Sequence, residues 1–273
     1  MVRGFYKRVA IVCIGMLILN VCVYLWINSN EKQSTDKGRL STRTKSRVIG
    51  SAGKLRTRPN TTKSVPPMDY EFVIAHHKEK LDWLKPVAEF CHVYDKGHDS
   101  GLKPKFSVHH WDELPNIGRD GHTYLHHIIS NYDNLANITI FLRGGLTLQS
   151  PKSCFQTPTE FLEKARKGVL CVPSGKYNTW GTLHHVNGWK KAWDLGHMRH
   201  AVMTVGQFYQ MVFGVAPPES VDWCSEGCFS ATRKCLRRHP KAFYQKIISY
   251  LAEHSHPEEA YYLERLWFTI ASC

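Results

Sequence analysis

Residues 122–145, HTYLHHIISNYDNLANITIFLRGG, set a helical pattern directly against a strand pattern. Tyr124, Leu125, Ile128, Ile129 and Tyr132 recur at the spacing of one helix face, and residues 138–142 form a β-prone apolar run closed by Gly144-Gly145. The same alternation extends outward. Upstream, residues 72–75 read as a buried strand, Leu81, Trp83, Leu84, Val87, Ala88 and Phe90 as a helix interrupted near Pro86, and residues 91–94 as a second strand. Downstream, Thr157-Pro158-Thr159-Glu160 opens a helix that Gly168 closes, and residues 169–172 return as a strand. Residues 202–213, 241–252 and 257–270 are helical in pattern. Strands alternating with helices predict an α/β fold, a single three-layer domain with a mostly parallel sheet over residues 68–273.

The segments before this domain differ in texture. Residues 9–27, VAIVCIGMLILNVCVYLWI, are apolar except for Asn20, and at about 1.5 Å per helical residue such a run crosses roughly 28 Å of hydrocarbon. It is longer than the apolar core of a signal peptide, and no small-residue cleavage site follows it, so it is read as an uncleaved transmembrane anchor behind a cytoplasmic tail of residues 1–8. Residues 28–67 hold ten basic and two acidic side chains with few large apolar ones, the composition of a disordered basic stem.

The formal net charge of +13 therefore resides in tail and stem, because residues 68–273 carry 23 basic and 21 acidic side chains. A near-neutral domain lacks the basic footprint of a nucleic-acid-binding module, so nucleic acid is excluded as a partner and the membrane is the expected one. Basic residues flank the anchor on both sides. The sequons at Asn60 and Asn137 fit a lumenal C-terminal portion, so the expected topology is single-pass type II in the Golgi or endoplasmic reticulum membrane. Seven of the nine cysteines lie beyond the anchor, and an oxidising lumen favours disulfides among them. The same compartment argues against zinc at Cys224, Cys228, Cys235 and His239.

Chemistry is expected at strand ends and at one turn. Residues 114–124, LPNIGRDGHTY, precede a helix whose free N–H groups and dipole can hold a phosphate, with Asn116, Gly118, Arg119 and His122 around it. Arg119 suits bidentate phosphate contact, and Asp120 suits proton abstraction from a hydroxyl. Asp95 and Lys96 follow the second strand, His76 and His77 the first, and Arg143 the strand at 138–142, the positions that face the ligand crevice of an open parallel sheet. Glu226, between Cys224 and Cys228, is a second candidate base beside a short apolar segment that reads as a late strand. His122 and His126 share a helix face but are read as structural, and Glu264 with Arg265 as a structural pair. No metal ligands are assigned. Phosphate-loop, nucleophile-elbow and zincin motifs are missing, and so is any Asp-x-Asp, which leaves use of Mn²⁺ or Mg²⁺ open.

Taken in order, His76-His77-Lys78-Glu79, Tyr94-Asp95-Lys96-Gly97, Pro115-Asn116-Ile117-Gly118-Arg119-Asp120 and Ile140-Phe141-Leu142-Arg143-Gly144 resemble a fungal-rich family of unknown function, the one numbered 3431. Gly227-Cys228-Phe229-Ser230-Ala231 and Leu263-Glu264-Arg265-Leu266-Trp267 resemble its ending. Two positions depart from the family pattern, which favours Glu at Asp120 and Gln at Arg143. The family's strand–helix order and terminal Glu-Arg-Leu-Trp are similar to lumenal glycosyltransferases of the glycosyltransferase-A type. The resemblance implies a nucleotide sugar as donor and a glycan or protein as acceptor, a fold-level analogy. The alternatives are a non-catalytic lumenal binding or scaffold protein of the same fold, or a sulfotransferase.

Overall fold

The computed structural model describes residues 68–273 apart from 99–100, 102, 146–154, 169, 172 and 186. The expected tail, anchor, stem and Asn60 lie outside these residues. No helix among the described residues is long and apolar enough to cross a membrane.

Strands β1 (Tyr70–His76), β2 (Cys91–Asp95), β3 (His110–Glu113) and β4 (Ile138–Arg143) run parallel, and β7 (Phe229–Thr232) pairs antiparallel with β4. The order across this sheet is β3-β2-β1-β4-β7, so the structure is α/β with a mostly parallel five-stranded sheet. Successive side chains of a strand point to opposite faces, and each face carries its own core. Val73, Tyr94, Phe141 and Phe229 pack beneath helices α1 (Arg119–Ser130) and α7 (Glu259–Ala271), against Tyr124, Leu125, Leu266 and Trp267. Phe72, Ile74, Val93 and Leu142 pack under the 3-10 helix Asp82–Phe90 and α2 (Pro158–Arg166), against Leu84, Val87, Phe161 and Leu162. Near-continuous apolar strands such as β4 are what burial on both faces requires.

Between α2 and α7 the chain adds β5 (Pro173–Tyr177), α3 (Asn187–Asp194), α4 (Val205–Phe213), β6 (Val221–Cys224), the short α5 (Arg233–Leu236) and α6 (Lys241–Ser249). The Pro86 interruption takes the form of a 3-10 rather than an α-helix, since proline supplies no N–H for an α-helical bond. Thr157 caps α2 by accepting from the Glu160 N–H, as its sequence pattern predicts. Helix α4 begins at Val205 rather than 202, because Thr204 and Gln207 form a reciprocal capping box.

The strand expected at 169–172 is corrected. Leu170 and Cys171 are not in a strand, and β5 begins at Pro173 in a separate two-stranded ribbon with β6. Cys171 is instead held by a disulfide to Cys224, while the Leu170 carbonyl accepts the Ser230 N–H at 2.7 Å. A second disulfide joins Cys235 to Cys273. Cys91 is a buried free thiol, and the disulfide reading of the C-terminal cysteines holds for Cys224 and Cys235.

Candidate functional site

The chain runs β1 to β2 to β3 in one direction across the sheet, and α1 then carries it back over β1 to β4. That reversal opens a crevice beyond the carboxyl ends of β1 and β4, where open α/β sheets bind ligands. A cavity of about 480 Å³ lies there, lined by His76, Lys96, Asn116, Arg119, Asp120 and Arg143 among others. A second, of about 350 Å³, shares Arg119 and Arg143 and adds Glu226, Glu264, Arg265 and Tyr261. The two cavities bring together Lys96, Asn116, Arg119, Asp120, Arg143 and Glu226 from segments well separated in sequence.

The turn before α1 is tightly determined. Gly118 has φ +60°, and a Cβ there would lie 2.7 Å from the Cβ atoms of both His122 and Leu251, so only glycine fits. Its N–H donates to the His254 carbonyl at 2.8 Å. Gly118 offers no side chain to cap α1; the Asp120 carboxylate takes the Gly121 N–H, and the N–H groups ahead of it can face an anion. Arg119 itself sits at φ +52°, in the left-handed region. The buried Lys96 ammonium donates to the carbonyls of Ile117 (2.6 Å) and Arg119, fixing that conformation. Burial, offset in part by Asp120 and reinforced by Arg119, pulls the Lys96 pKa down to about 7.

Charges in the site divide into paired and unpaired. Arg143 pairs with Glu226 at 3.2 Å, and Arg265 with Glu264 at 3.2 Å. Burial opposes the charge on Arg143, yet Asp120 and its other neighbours outweigh it and raise its pKa. Burial raises the pKa of the Glu264 carboxyl, and Asp120 adds to the rise, the signature of a group able to carry a proton. Arg119 makes no ion pair among the described residues. Its guanidinium lies 4.7 Å from the Trp189 ring and 5.0 Å from the Tyr261 ring, with Nη1 3.3 Å from His256 Nε2. The Asp120 carboxylate accepts the N–H of Gly121 at 3.0 Å. Its Oδ2 is 2.9 Å from where a Cβ on Gly227 would stand, so Gly227, at φ +65°, admits Asp120 beside Glu226.

Three expected site residues lie in the supporting structure. The Asp95 carboxylate accepts the Gly97 N–H at 2.8 Å and meets His76 Nδ1 at 3.0 Å, while His76 Nε2 reaches the Glu79 carbonyl at 3.0 Å. Asp95 thereby orients His76, which does line the cavity. Gly118 shapes the turn, and His122 is buried behind it with its pKa lowered to about 3, by burial first and then by Lys96 and His126. Asn137 is exposed, and its side chain donates to Asp69 at 3.2 Å.

The sequence reading gave no site role to His256 or Tyr261 and took Glu264 as a structural partner of Arg265, a pair the structure contains at 3.2 Å; all three residues come from the C-terminal end of the chain. His256 joins Tyr261 in a short hydrogen bond, and burial, Arg119 and nearby histidines lower its pKa to about 4. Only the Glu264-Arg265 dipeptide in an apolar helix pattern signalled this contribution.

Glu226 and Glu264 are each engaged by an arginine, and among the described residues no group of three metal-ligating side chains converges in the cavities. The basic groups Arg119 and Arg143 are the cavity's means of meeting negative charge.

No curated protein and no solved structure matches the chain significantly. Residues 72–272 match the model described as protein of unknown function (DUF3431), and the chain belongs to that family.

Proposed function

We propose that the chain is a glycosyltransferase-like, single-pass type II membrane protein of the Golgi or endoplasmic reticulum, with its α/β domain in the lumen. In this reading the domain, of glycosyltransferase-A type, transfers a sugar from a nucleotide donor to a glycan or protein acceptor. The observation that carries it is the Arg119 guanidinium, unpaired among the described residues and held between Trp189 and Tyr261 at the mouth of an uncapped helix. A cation with no acidic partner at a sheet switch point is suited to a diphosphate. Aromatic faces beside it suit a nucleobase or sugar ring.

In the transfer, an acceptor hydroxyl attacks the anomeric carbon as the bond from that carbon to the diphosphate oxygen breaks. Asp120 takes the hydroxyl proton, and Arg119 with the first N–H groups of α1 receives the charge of the departing nucleotide diphosphate. Glu226 is the alternative base, although its carboxylate is already held by Arg143 at 3.2 Å, which favours Asp120. Arg119 and Arg143 supply positive charge to neutralise the leaving diphosphate.

The test is calorimetric titration of the full-length chain, in detergent micelles, with uridine, guanosine and cytidine nucleotide sugars, followed by product analysis. Binding of one donor class, weakened tenfold or more by Arg119→Ala, supports the reading. Turnover that Asp120→Asn abolishes while binding persists supports the assigned base. Binding without turnover would leave a non-catalytic lumenal protein, and preference for adenosine 3′,5′-bisphosphate would indicate a sulfotransferase. Failure of every nucleotide to bind would refute the proposal.

A further inference from the structure

At the opposite end of the parallel strands from the cavity, Glu71 of β1, His92 of β2 and His127 of α1 turn their side chains toward one another in the core. Glu71 and His76 are five residues apart on one strand, which at about 3.3 Å per residue separates this cluster from the cavity by roughly 17 Å. All three side chains are at most 10 % exposed. One ligand atom from each lies within 4.8 Å of the others.

The distances are unusual for hydrogen bonds. His92 Nδ1 is 3.4 Å from Glu71 Oε1, and His127 Nε2 is 3.3 Å from Glu71 Oε2. Charge-assisted N–H···O bonds are shorter, about 2.7–2.9 Å. Donor atoms about 2.0–2.1 Å from a tetrahedral ion are instead roughly 3.3–3.4 Å apart. His127 Nε2 is also buried with no hydrogen-bond partner, an expensive condition for a ring nitrogen in the core.

The remaining nitrogens are satisfied as they would be in metal-bound imidazoles. His92 Nε2 meets Asp112 Oδ2 at 2.7 Å, a carboxylate–histidine pair. His127 Nδ1 is 3.2 Å from the Tyr94 hydroxyl, which can accept its N–H. Each ring therefore has one nitrogen anchored and the other aimed at Glu71.

We infer that Glu71, His92 and His127 form a zinc site, with one Glu71 oxygen and the two imidazole nitrogens as donors and a water molecule in the fourth position. Neutral imidazole and carboxylate together suit Zn²⁺, whereas Ca²⁺ and Mg²⁺ require oxygen donors. The ion joins β1, β2 and α1, and so fixes the helix that carries Arg119 and Asp120 at its other end. The inference is independent of the proposed transfer reaction.

The test uses the full-length chain in detergent micelles. Mass-spectrometric metal analysis after exhaustive dialysis is expected to find one zinc per chain, and Co²⁺ in its place to give the visible absorption of a four-coordinate ion. ZnCl₂ added to chelator-treated chain is expected to raise the melting temperature by several degrees. His92→Gln and His127→Gln should each lose the retained zinc, while His109→Gln, at an exposed position, keeps it. Folded wild-type chain that retains no zinc, and whose melting temperature ZnCl₂ does not move, would overturn the site. Undiminished zinc in both variants would do the same. The wild-type measurements decide the matter even where a variant does not fold.

Discussion

The Lys96 ammonium donates to the main-chain oxygen of Ile117 at 2.6 Å, tying the end of β2 to the turn that begins α1. Its second donation, to the Arg119 carbonyl, holds Arg119 in its left-handed conformation. Lysine here is a brace for the phosphate-facing turn, and its own charge is largely spent on the backbone.

Lys96→Met is therefore expected to leave the Ile117 carbonyl without its partner and to destabilise the fold by about 1–3 kcal/mol. Denaturant unfolding measures it. Stability equal to wild type would mean that the brace contributes nothing.

Gly118→Ala combines a left-handed backbone with contacts of 2.7 Å to the His122 and Leu251 Cβ atoms and 2.8 Å to the Leu251 carbonyl. A loss above about 1 kcal/mol follows, more than the conformational entropy gained from alanine can offset. Although asparagine tolerates positive φ, Gly118→Asn should be no better, because the clash is with packed neighbours. Melting temperatures of the two variants check this.

Arg119→Lys should recover only part of the donor binding lost in Arg119→Ala. An ammonium cannot reproduce a planar guanidinium that contacts Trp189 and Tyr261 and makes bidentate phosphate contacts. Equal affinities for the lysine variant and wild type in the nucleotide titration would show that point charge alone suffices.

Acid should weaken the domain through two histidines. His122 and His256 have pKa values lowered from the usual 6.5 to about 3 and about 4, chiefly by burial, so below pH 6.5 the unfolded chain binds protons that the folded chain does not. Their contribution is complete above pH 6.5 and falls as the pH drops, for His122 by up to about 1.4 kcal/mol per pH unit. Urea unfolding at pH 7 and pH 5 should differ less for His122→Leu than for wild type; an unchanged difference would count against the assignment.

Cys171 and Cys224 enclose a sequence separation of 53 residues, and breaking this disulfide is expected to cost about 2–4 kcal/mol. Non-reducing peptide mapping should recover the Cys171–Cys224 and Cys235–Cys273 pairs. Cys91, whose thiol burial pushes up to about 12, should resist alkylation until the chain unfolds.

Much of the sheet was legible because hydrophobic runs are local. Residues 72–75, 91–94 and 138–142 are apolar enough to be buried on both faces, and they became β1, β2 and β4. Strand β3 was not, since His110, Trp111, Asp112 and Glu113 form a polar edge strand recognised only by its pairing with β2. For the late strand at Phe229, the antiparallel sense was decided by how the chain arrives beside β4.

The sequence by itself determined the α/β order, the strand ends that carry Lys96 and Arg143, and the helix-initiating turn with Asn116, Arg119 and Asp120, because each follows from short-range periodicity and backbone rules. Only the tertiary structure decided which charges stay unpaired. Arg143 meets Glu226 across 83 positions and Arg119 meets His256 across 137, and no local pattern encodes such distances. Glu71, His92 and His127 likewise converge only once β1, β2 and α1 pack. Ionic and ligand chemistry depends on separations of a few ångströms, which the sequence leaves open until the core closes.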